Sequence, residues 1–296
     1  MSKILKISNL YKNYNTKKME IEALKNVNIE INEGDFLGIV GPSGCGKSTL
    51  LSIIGGLESI TKGSIEKKDN LKIGYMLQDD CLFPWLTIYE NCLIGLKINK
   101  TCTKENMENV KNLLTTYGLK DFLNNYPKDL SGGMRQRVAL IRTLALKPDL
   151  LLLDEPFSAL DYQTRISVSN DVCNIIKNEK KTLIIVTHDI SEAISMCNKI
   201  IVMSKRPSTI KKTYNIDYDF DRTNPIRSRS SKEFMEYYEK IWEDLRWNHT
   251  WNCIDSPGGC CHTDSAGIPS GSDRDFEHNQ WKTVHIYRRF DDDPDL

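Results

Sequence analysis

Apolar and polar residues alternate along Leu5–Leu10 and again along Ala23–Ile31, where Leu24, Val27, Ile29 and Ile31 stand among polar neighbours. Period-two alternation predicts strands buried on one face, of the antiparallel kind. The run Phe36–Val40 has no polar face at all, and neither have Asp149–Leu153 beyond its first residue or Thr182–Val186. Short runs of that kind predict strands covered on both sides in a parallel sheet. Ser48–Ile54 follows the first of them as helix after a Gly-rich turn, and Ile73–Leu77 reads as a further strand. Between the first buried strands and Asp149, residues 88–145 are mainly helical in pattern and predict an inserted helical subdomain. Met134, Val138, Ile141 and Ala145 fall on one face of a helix running from Leu130 to about Leu146, with Pro148 beyond its end. Ser230–Glu233 predicts a capping-box start, after which Phe234, Tyr238, Ile241 and Leu245 make one apolar stripe over 231–246. Strands alternating with helices around apolar strands predict an α/β parallel sheet, joined here by an N-terminal antiparallel part.

Composition narrows the class. The 296 residues are 40% hydrophobic and 27% charged, with 40 Lys plus Arg against 40 Asp plus Glu. That balance offers no basic field for a nucleic-acid partner. No apolar run approaches the length of a membrane span, and the N-terminus lacks the apolar core of a secretory signal. The nine cysteines keep no repeating spacing, which argues for a reducing compartment over a disulfide framework. Charge is unevenly spread, however. Residues 1–246 hold 36 Lys and Arg against 31 acids, whereas 247–296 hold 4 against 9, with four of the five His and three of the five Trp. The expectation is one domain over 1–246 and a disordered or non-native tail over 247–296. Cys253, Cys260, Cys261 and His262 in that tail have no C-x₂-C spacing, so zinc is not expected there.

The chemistry begins at the turn after Val40. Gly41-Pro-Ser-Gly-Cys-Gly-Lys47-Ser48-Thr49 fits G-x-x-x-x-G-K-[ST] between a buried strand and a helix. Backbone N–H groups of such a loop form an anion nest, and the helix that follows adds its positive end. Gly41, Ser43, Gly44, Cys45, Gly46, Lys47, Ser48 and Thr49 are therefore the candidate phosphate cradle. Lys47 is expected to reach the β- and γ-phosphates and Ser48 to hold Mg²⁺. Cys45, at a helix N-terminus, is expected to have a lowered thiol pKa. Leu150–Glu155 ends an apolar strand in two carboxylates. Asp154 is the candidate partner of Mg²⁺, leaving Glu155 as base for an attacking water. Leu130-Ser-Gly-Gly-Met-Arg-Gln136 opens a second helix, with no lysine beside its N-terminal donors. It suits a phosphate held by another subunit.

These motifs resemble those of ABC transporter nucleotide-binding subunits, over about residues 1–246. Gly41–Thr49 resembles Walker A, Leu130–Gln136 the signature and Leu150–Glu155 Walker B; Ser158–Asp161 is similar to the D-loop. The resemblance implies a P-loop NTPase core with an N-terminal antiparallel β subdomain and an inserted helical subdomain. It implies ATP and Mg²⁺ as ligands, and a head-to-tail dimer in which Ser131, Gly133 and Gln136 close over the partner's nucleotide. Gln78 takes the place of the Q-loop glutamine, with a share in the metal site, and His188 that of the switch histidine. Tyr14, with Tyr11 as the alternative, takes the place of the ring that stacks on adenine.

A single ATPase unit without a membrane span implies separate multispanning permease subunits and, indirectly, an extracytoplasmic substrate-binding protein. The expected location is then peripheral, on the cytoplasmic face of the membrane. Phe83-Pro-Trp-Leu-Thr87, Met203–Pro207 and the closing helix are most similar to nitrate, sulfonate and taurine import ATPases. The alternative is a soluble ABC ATPase acting on DNA or ribosomes. The former carry a long coiled coil between Walker A and the signature, and the latter two ATPase units. The 82-residue spacing from Thr49 to Ser131, without sustained heptads, does not fit the former, and the single ATPase unit does not fit the latter.

Overall fold

The computed structural model describes residues 2–15, 19–158, 160–179, 181–216, 229 and 231–246. The expected tail over 247–296, with its cysteines, lies outside the described residues.

Strands β1 (Lys3–Asn15) and β2 (Glu20–Asn32) pair antiparallel, and β4 (Lys62–Lys67) adds to β1, giving the order β2-β1-β4. Both long strands outrun the alternating stretches seen in the sequence. Leu5 faces Ile31 and Ile7 faces Ile29, after which the register slips three times. Asn9 and Asn26 stand at positive φ near the first slip, a conformation Asn tolerates better than most residues. The second sheet joins β3 (Phe36–Val40), β5 (Ile73–Met76), β6 (Leu150–Asp154), β7 (Thr182–Val186), β8 (Lys199–Met203) and β9 (Ile210–Asn215) in the order β5-β6-β7-β3-β8-β9. All neighbours in it are parallel except β8 and β9. Strands β4, β8 and β9 are not among those the apolar pattern predicts. β4 carries a single apolar residue, Ile65, and β9 closes an edge.

The continuous apolar strands are explained by two cores. Leu151, Leu153, Leu183 and Ile185 face one with Phe36 and Val40, whereas Leu150, Leu152, Ile184 and Val186 face the other with Leu37 and Ile39. Helix α1 (Lys47–Ile54) and the antiparallel sheet cover the second side. The first side is covered by α2 (Ile88–Ile98), α3 (Lys104–Thr116), α4 (Gly132–Leu144), α5 (Tyr162–Asn178), α6 (Ile190–Met196) and α7 (Lys232–Arg246). The insert over 88–145 is thus α2, α3 and α4. Its first helix starts at a capping box between Thr87 and Glu90. Helix α7 begins one residue later than the sequence pattern predicts. The Ser231 hydroxyl accepts from the Phe234 N–H and so caps the helix; Ser230 of the expected Ser230–Glu233 box lies outside the described residues. Phe234 and Ile241 are buried in the stripe, with Tyr238 and Leu245 packed beside them.

Strand order fixes what lies at the carboxyl edge. β5, β6, β7 and β3 are consecutive neighbours, so the segments after Met76, Asp154, Val186 and Val40 emerge side by side. Open parallel sheets bind ligands outside that edge.

Candidate nucleotide site

The turn after β3 is crowded at two of its glycines, Gly41 and Gly46. Gly46 is the cap of α1 at φ +112, and a Cβ there would stand 3.1 Å from Leu24 Cδ2 and 3.4 Å from the Ala23 carbonyl oxygen. Only glycine fits both the backbone and the space. Helix α1 has no side-chain cap and no acid in its first turn, which leaves its N-terminal donors and positive end available to an anion. The buried Lys47 Nζ spans the loop, donating to the carbonyls of Gly41 (2.9 Å) and Pro42 (3.2 Å). Ser43 and Gly44 are exposed, Thr49 is half-buried, and Ser48 is at the surface.

Ser48 Oγ donates to Asp154 Oδ1 across 3.0 Å, joining the helix start to the end of β6. Asp154 Oδ2 lies 3.5 Å from the Tyr75 hydroxyl, itself 3.4 Å from Ser52 Oγ. Burial raises the Asp154 pKa against the hydrogen bond from Ser48, which lowers it. A buried carboxylate that resists ionisation gains from a cation beside it, and a hydroxyl with a carboxylate is the hard-oxygen donor set that Mg²⁺ takes. These residues fit that ion.

Glu155 follows at φ +43, a left-handed conformation that is strained for a non-glycine residue. Its N–H is tied to the Val186 carbonyl at 2.8 Å. The half-buried Glu155 Oε2 stands 3.1 Å from His188 Nδ1. His188 is exposed, but its loop is not loose. The Thr187 hydroxyl donates to buried Glu192 (2.9 Å) and accepts from the Asp189 N–H (3.0 Å), and Asp189 caps α6. Burial, with Asp189 nearby, pushes the Glu192 carboxyl up to about 8. Exposed Gln78 follows β5, and its Nε2 makes a long contact (3.5 Å) with Ser158 Oγ. Its recorded partner is therefore the segment after Glu155, where Ser158 donates to the Glu155 carbonyl (3.0 Å).

Cys45 departs from expectation. Its thiol pKa is raised, because burial outweighs the neighbouring charge of Lys47. The helix end is nearby, but the sulfur is packed inward and shielded from water.

Ser131 is exposed and caps α4 by accepting from the Met134 N–H at 3.3 Å. Gly133 is buried against α5; a Cβ there would stand 3.0 Å from Val168 and 3.1 Å from Thr164 side-chain carbons. Gln136 is buried as well. Of the three residues expected to face a partner's nucleotide, only Ser131 is exposed. Tyr14 is half-exposed on β1, with Lys12 Nζ 4.7 Å from its ring centre. Lys12 is buried, donating to Glu58 (2.8 Å) and the Ser59 carbonyl (2.7 Å) beyond the end of α1. Tyr14 shares that α1-side setting through Lys12.

Tyr75, Thr187, Glu192 and Lys12 escaped the sequence reading. Only Tyr75 left a trace, in the strand before Gln78, and nothing local tied it to Asp154.

The loop after Gln78 is held rigidly. Arg142 donates to the carbonyls of Asp80 and Cys81, both at 2.7 Å, and Arg135 pairs with Asp80 at 2.9 Å. Buried Asn91 accepts from the Phe83 N–H (2.8 Å) and donates toward the carbonyls of Phe83, Leu86 and Thr87. The turn so clamped presents Trp85, 70% exposed, against Phe83, 36% exposed, with ring centres 5.4 Å apart.

Comparison with known proteins identifies the family. The family described as ABC transporter matches residues 24–158. An uncharacterized ABC transporter ATP-binding protein, YtlC of Bacillus subtilis (strain 168), is 45% identical over 81% of this chain and 95% of its own. The aliphatic sulfonates import ATP-binding protein SsuB of Bacillus cereus (strain ZK / E33L) is 39% identical over 81% and 95%. Among solved structures, the dimeric post-hydrolysis state of the ATP-binding cassette MJ0796, bound to ADP and Pi, aligns with a TM-score of 0.63. It is 34% identical and covers 73% of this chain and 100% of that one. The chain therefore belongs to the ABC transporter family, as an ATP-binding protein and ATPase.

Proposed function

We propose that this ATPase drives an importer of a small anion such as nitrate, an aliphatic sulfonate or taurine. In this reading it works as a head-to-tail dimer beneath separate multispanning permease subunits, on the cytoplasmic face of the membrane. An extracytoplasmic substrate-binding protein delivers the cargo. The likeness to a sulfonate importer's ATP-binding protein and to a dimeric cassette supports this reading. Among the described residues, no helix is long and apolar enough to cross a membrane.

The observation that carries the coupling is the exposed Phe83–Trp85 pair. It stands on a turn clamped by Asn91, five to seven residues after Gln78. Two large aromatic side chains held outward make a good anchor for a partner's helix. In the ATP site, backbone donors of Gly41–Thr49 and the Lys47 ammonium bind the phosphates, and the Tyr14 ring stacks on adenine. Mg²⁺, when bound, neutralises charge on the transferring phosphate; Ser48 and Asp154 are the residues to hold it, with Gln78 approaching from the β5 side. Glu155 accepts the proton of the attacking water, and His188, 3.1 Å away, holds that carboxylate and meets the γ-phosphate. Ser131, with the backbone at Gly133 and Gln136 behind it, completes the partner's site. ATP favours the closed dimer and hydrolysis releases it.

Replacing Phe83 and Trp85 together by Ala tests the coupling. MgATP binding is expected to persist, while copurification with the membrane subunits and uptake of radiolabelled sulfonate or nitrate are lost. A double variant that still copurifies and transports normally refutes the assignment.

A further inference from the structure

The turn between β8 and β9 is built onto the outside of the phosphate loop. Ser208 is fully buried, its N–H donating to the Ala23 carbonyl (3.1 Å) and its own carbonyl accepting from the Lys25 N–H (2.9 Å) on β2. Its hydroxyl donates to the Ser204 carbonyl (2.9 Å), and Ser204 Oγ accepts from the Thr209 N–H (2.9 Å). The turn is thus closed on itself and fastened to the strand that also crowds Gly46. From it Arg206 reaches back to the phosphate loop. Its Nε donates to the Gly44 carbonyl oxygen at 3.1 Å, and its Nη2 donates to the same atom.

The bond falls on the part of the loop with most freedom. Gly44 stands at φ +70 and Gly46 at φ +112. Glycine adopts either sign of φ with little cost, so the peptides around it can rotate their N–H groups away from a nest. Lys47 holds the inner side of the loop through Gly41 and Pro42. Among the described contacts, Arg206 is what holds the Gly44 carbonyl. Two donors on one oxygen restrict the 44–45 peptide, and the guanidinium offsets the negative end of a carbonyl beside an anion site. Beneath them the Cys45 thiol is buried, with its sulfur 2.9 Å from where a Cβ on Gly41 would stand.

We propose that Arg206 is a positioning residue of the ATP site, a latch that holds Gly44 so that the loop's N–H groups stay arranged for phosphate before nucleotide arrives. This rests on reading Gly41–Thr49 as the phosphate cradle. Preorganisation of that kind strengthens binding by removing an ordering cost; the reacting atoms are not touched.

The test compares the full-length wild type with Arg206→Ala and Arg206→Lys. MgATP affinity is measured by calorimetry. Cys45 alkylation by N-ethylmaleimide without nucleotide is read by mass spectrometry, with exposed Cys81 as internal reference. Losing a forked charge-assisted bond is expected to weaken MgATP binding about tenfold in Arg206→Ala. Cys45 labelling relative to Cys81 should rise several-fold, and the hydrolysis defect should fall on KM more than on kcat. Arg206→Lys keeps the charge without the fork and should recover only part of each loss; it also carries the test if the alanine variant fails to fold. Unchanged affinity and unchanged Cys45 labelling in a folded Arg206→Ala overturn the proposal. Full recovery by Lys overturns it too, since Arg206 is then a charge and not a latch. Lys47→Ala checks the cradle itself: wild-type MgATP binding there refutes the cradle, whatever Arg206 does.

Discussion

The starts of α1 and α4 look alike in sequence and differ in what surrounds them. Both are Gly-rich, and neither has an acid in its first turn, whereas α2, α3 and α6 each carry a Glu there. An acid at that position would satisfy the helix's positive end from within. The start of α1 has no side-chain cap, is flanked by Lys47 and is tied through Ser48 to Asp154. The start of α4 is capped by Ser131, and the signature glycines pack against α5 and Leu160. One helix start therefore has an ammonium and a carboxylate beside it. The other supplies an exposed serine and a dipole only. In the proposed head-to-tail dimer, the first start is the complete site and the second the half site that closes over it.

The largest effects should come from breaking the complete site. Glu155→Gln is expected to retain MgATP binding and lower turnover in the assembled transporter by roughly 10²- to 10⁴-fold, the usual worth of a general base. A closed dimer should then accumulate with ATP, visible by size-exclusion chromatography with light scattering. Wild-type turnover in that variant refutes the role of Glu155.

The half site should respond differently. Ser131→Glu puts a carboxylate where the partner's phosphates are expected to sit. Turnover should fall by roughly tenfold to a hundredfold, while calorimetry on the isolated chain still finds wild-type MgATP affinity. Equal loss of affinity and turnover would erase the distinction between the two helix starts.

The smallest effect concerns the support behind His188. Glu192 is held up at about 8 from an ordinary 4.5, so folding takes up a proton between those values. The stability it contributes is complete below about 4.5 and is lost as pH rises through about 8. Glu192→Gln keeps an acceptor for the Thr187 hydroxyl and removes that titration. Thermal unfolding midpoints of the variant should therefore decline less steeply than wild type between these two pH values. Parallel curves would show that Glu192 ionises normally.

Local rules carried a large part of the reading. The strands Phe36–Val40 and Thr182–Val186 match their apolar runs because a strand buried on both faces favours apolar residues at nearly every position; the buried Thr182 is accommodated by accepting from the Gly34 N–H. The motif around Lys47 was legible because its tight turn needs glycines at particular steps, as at Gly46 with φ +112. Strand β4 was not, since an edge strand with one apolar residue is held by backbone pairing to β1 rather than by burial. Cys45 was misjudged for a related reason. Its helix-terminal place is local information, whereas the burial that raises its pKa comes from the fold around it.

By itself, the sequence determined the buried parallel strands and the helices that follow them, the glycine pattern around Lys47 and the two carboxylates after Leu153. Each of these is a short-range pattern of apolarity, glycine placement or charge. Tertiary structure alone decided that β6, β7 and β3 lie side by side, which brings Ser48 to Asp154 and His188 to Glu155 across 106 and 33 residues. It likewise decided that Arg206 meets Gly44, 162 residues away. Contacts of that range depend on strand order and on the two cores that clamp the sheet. No window of the chain contains both partners.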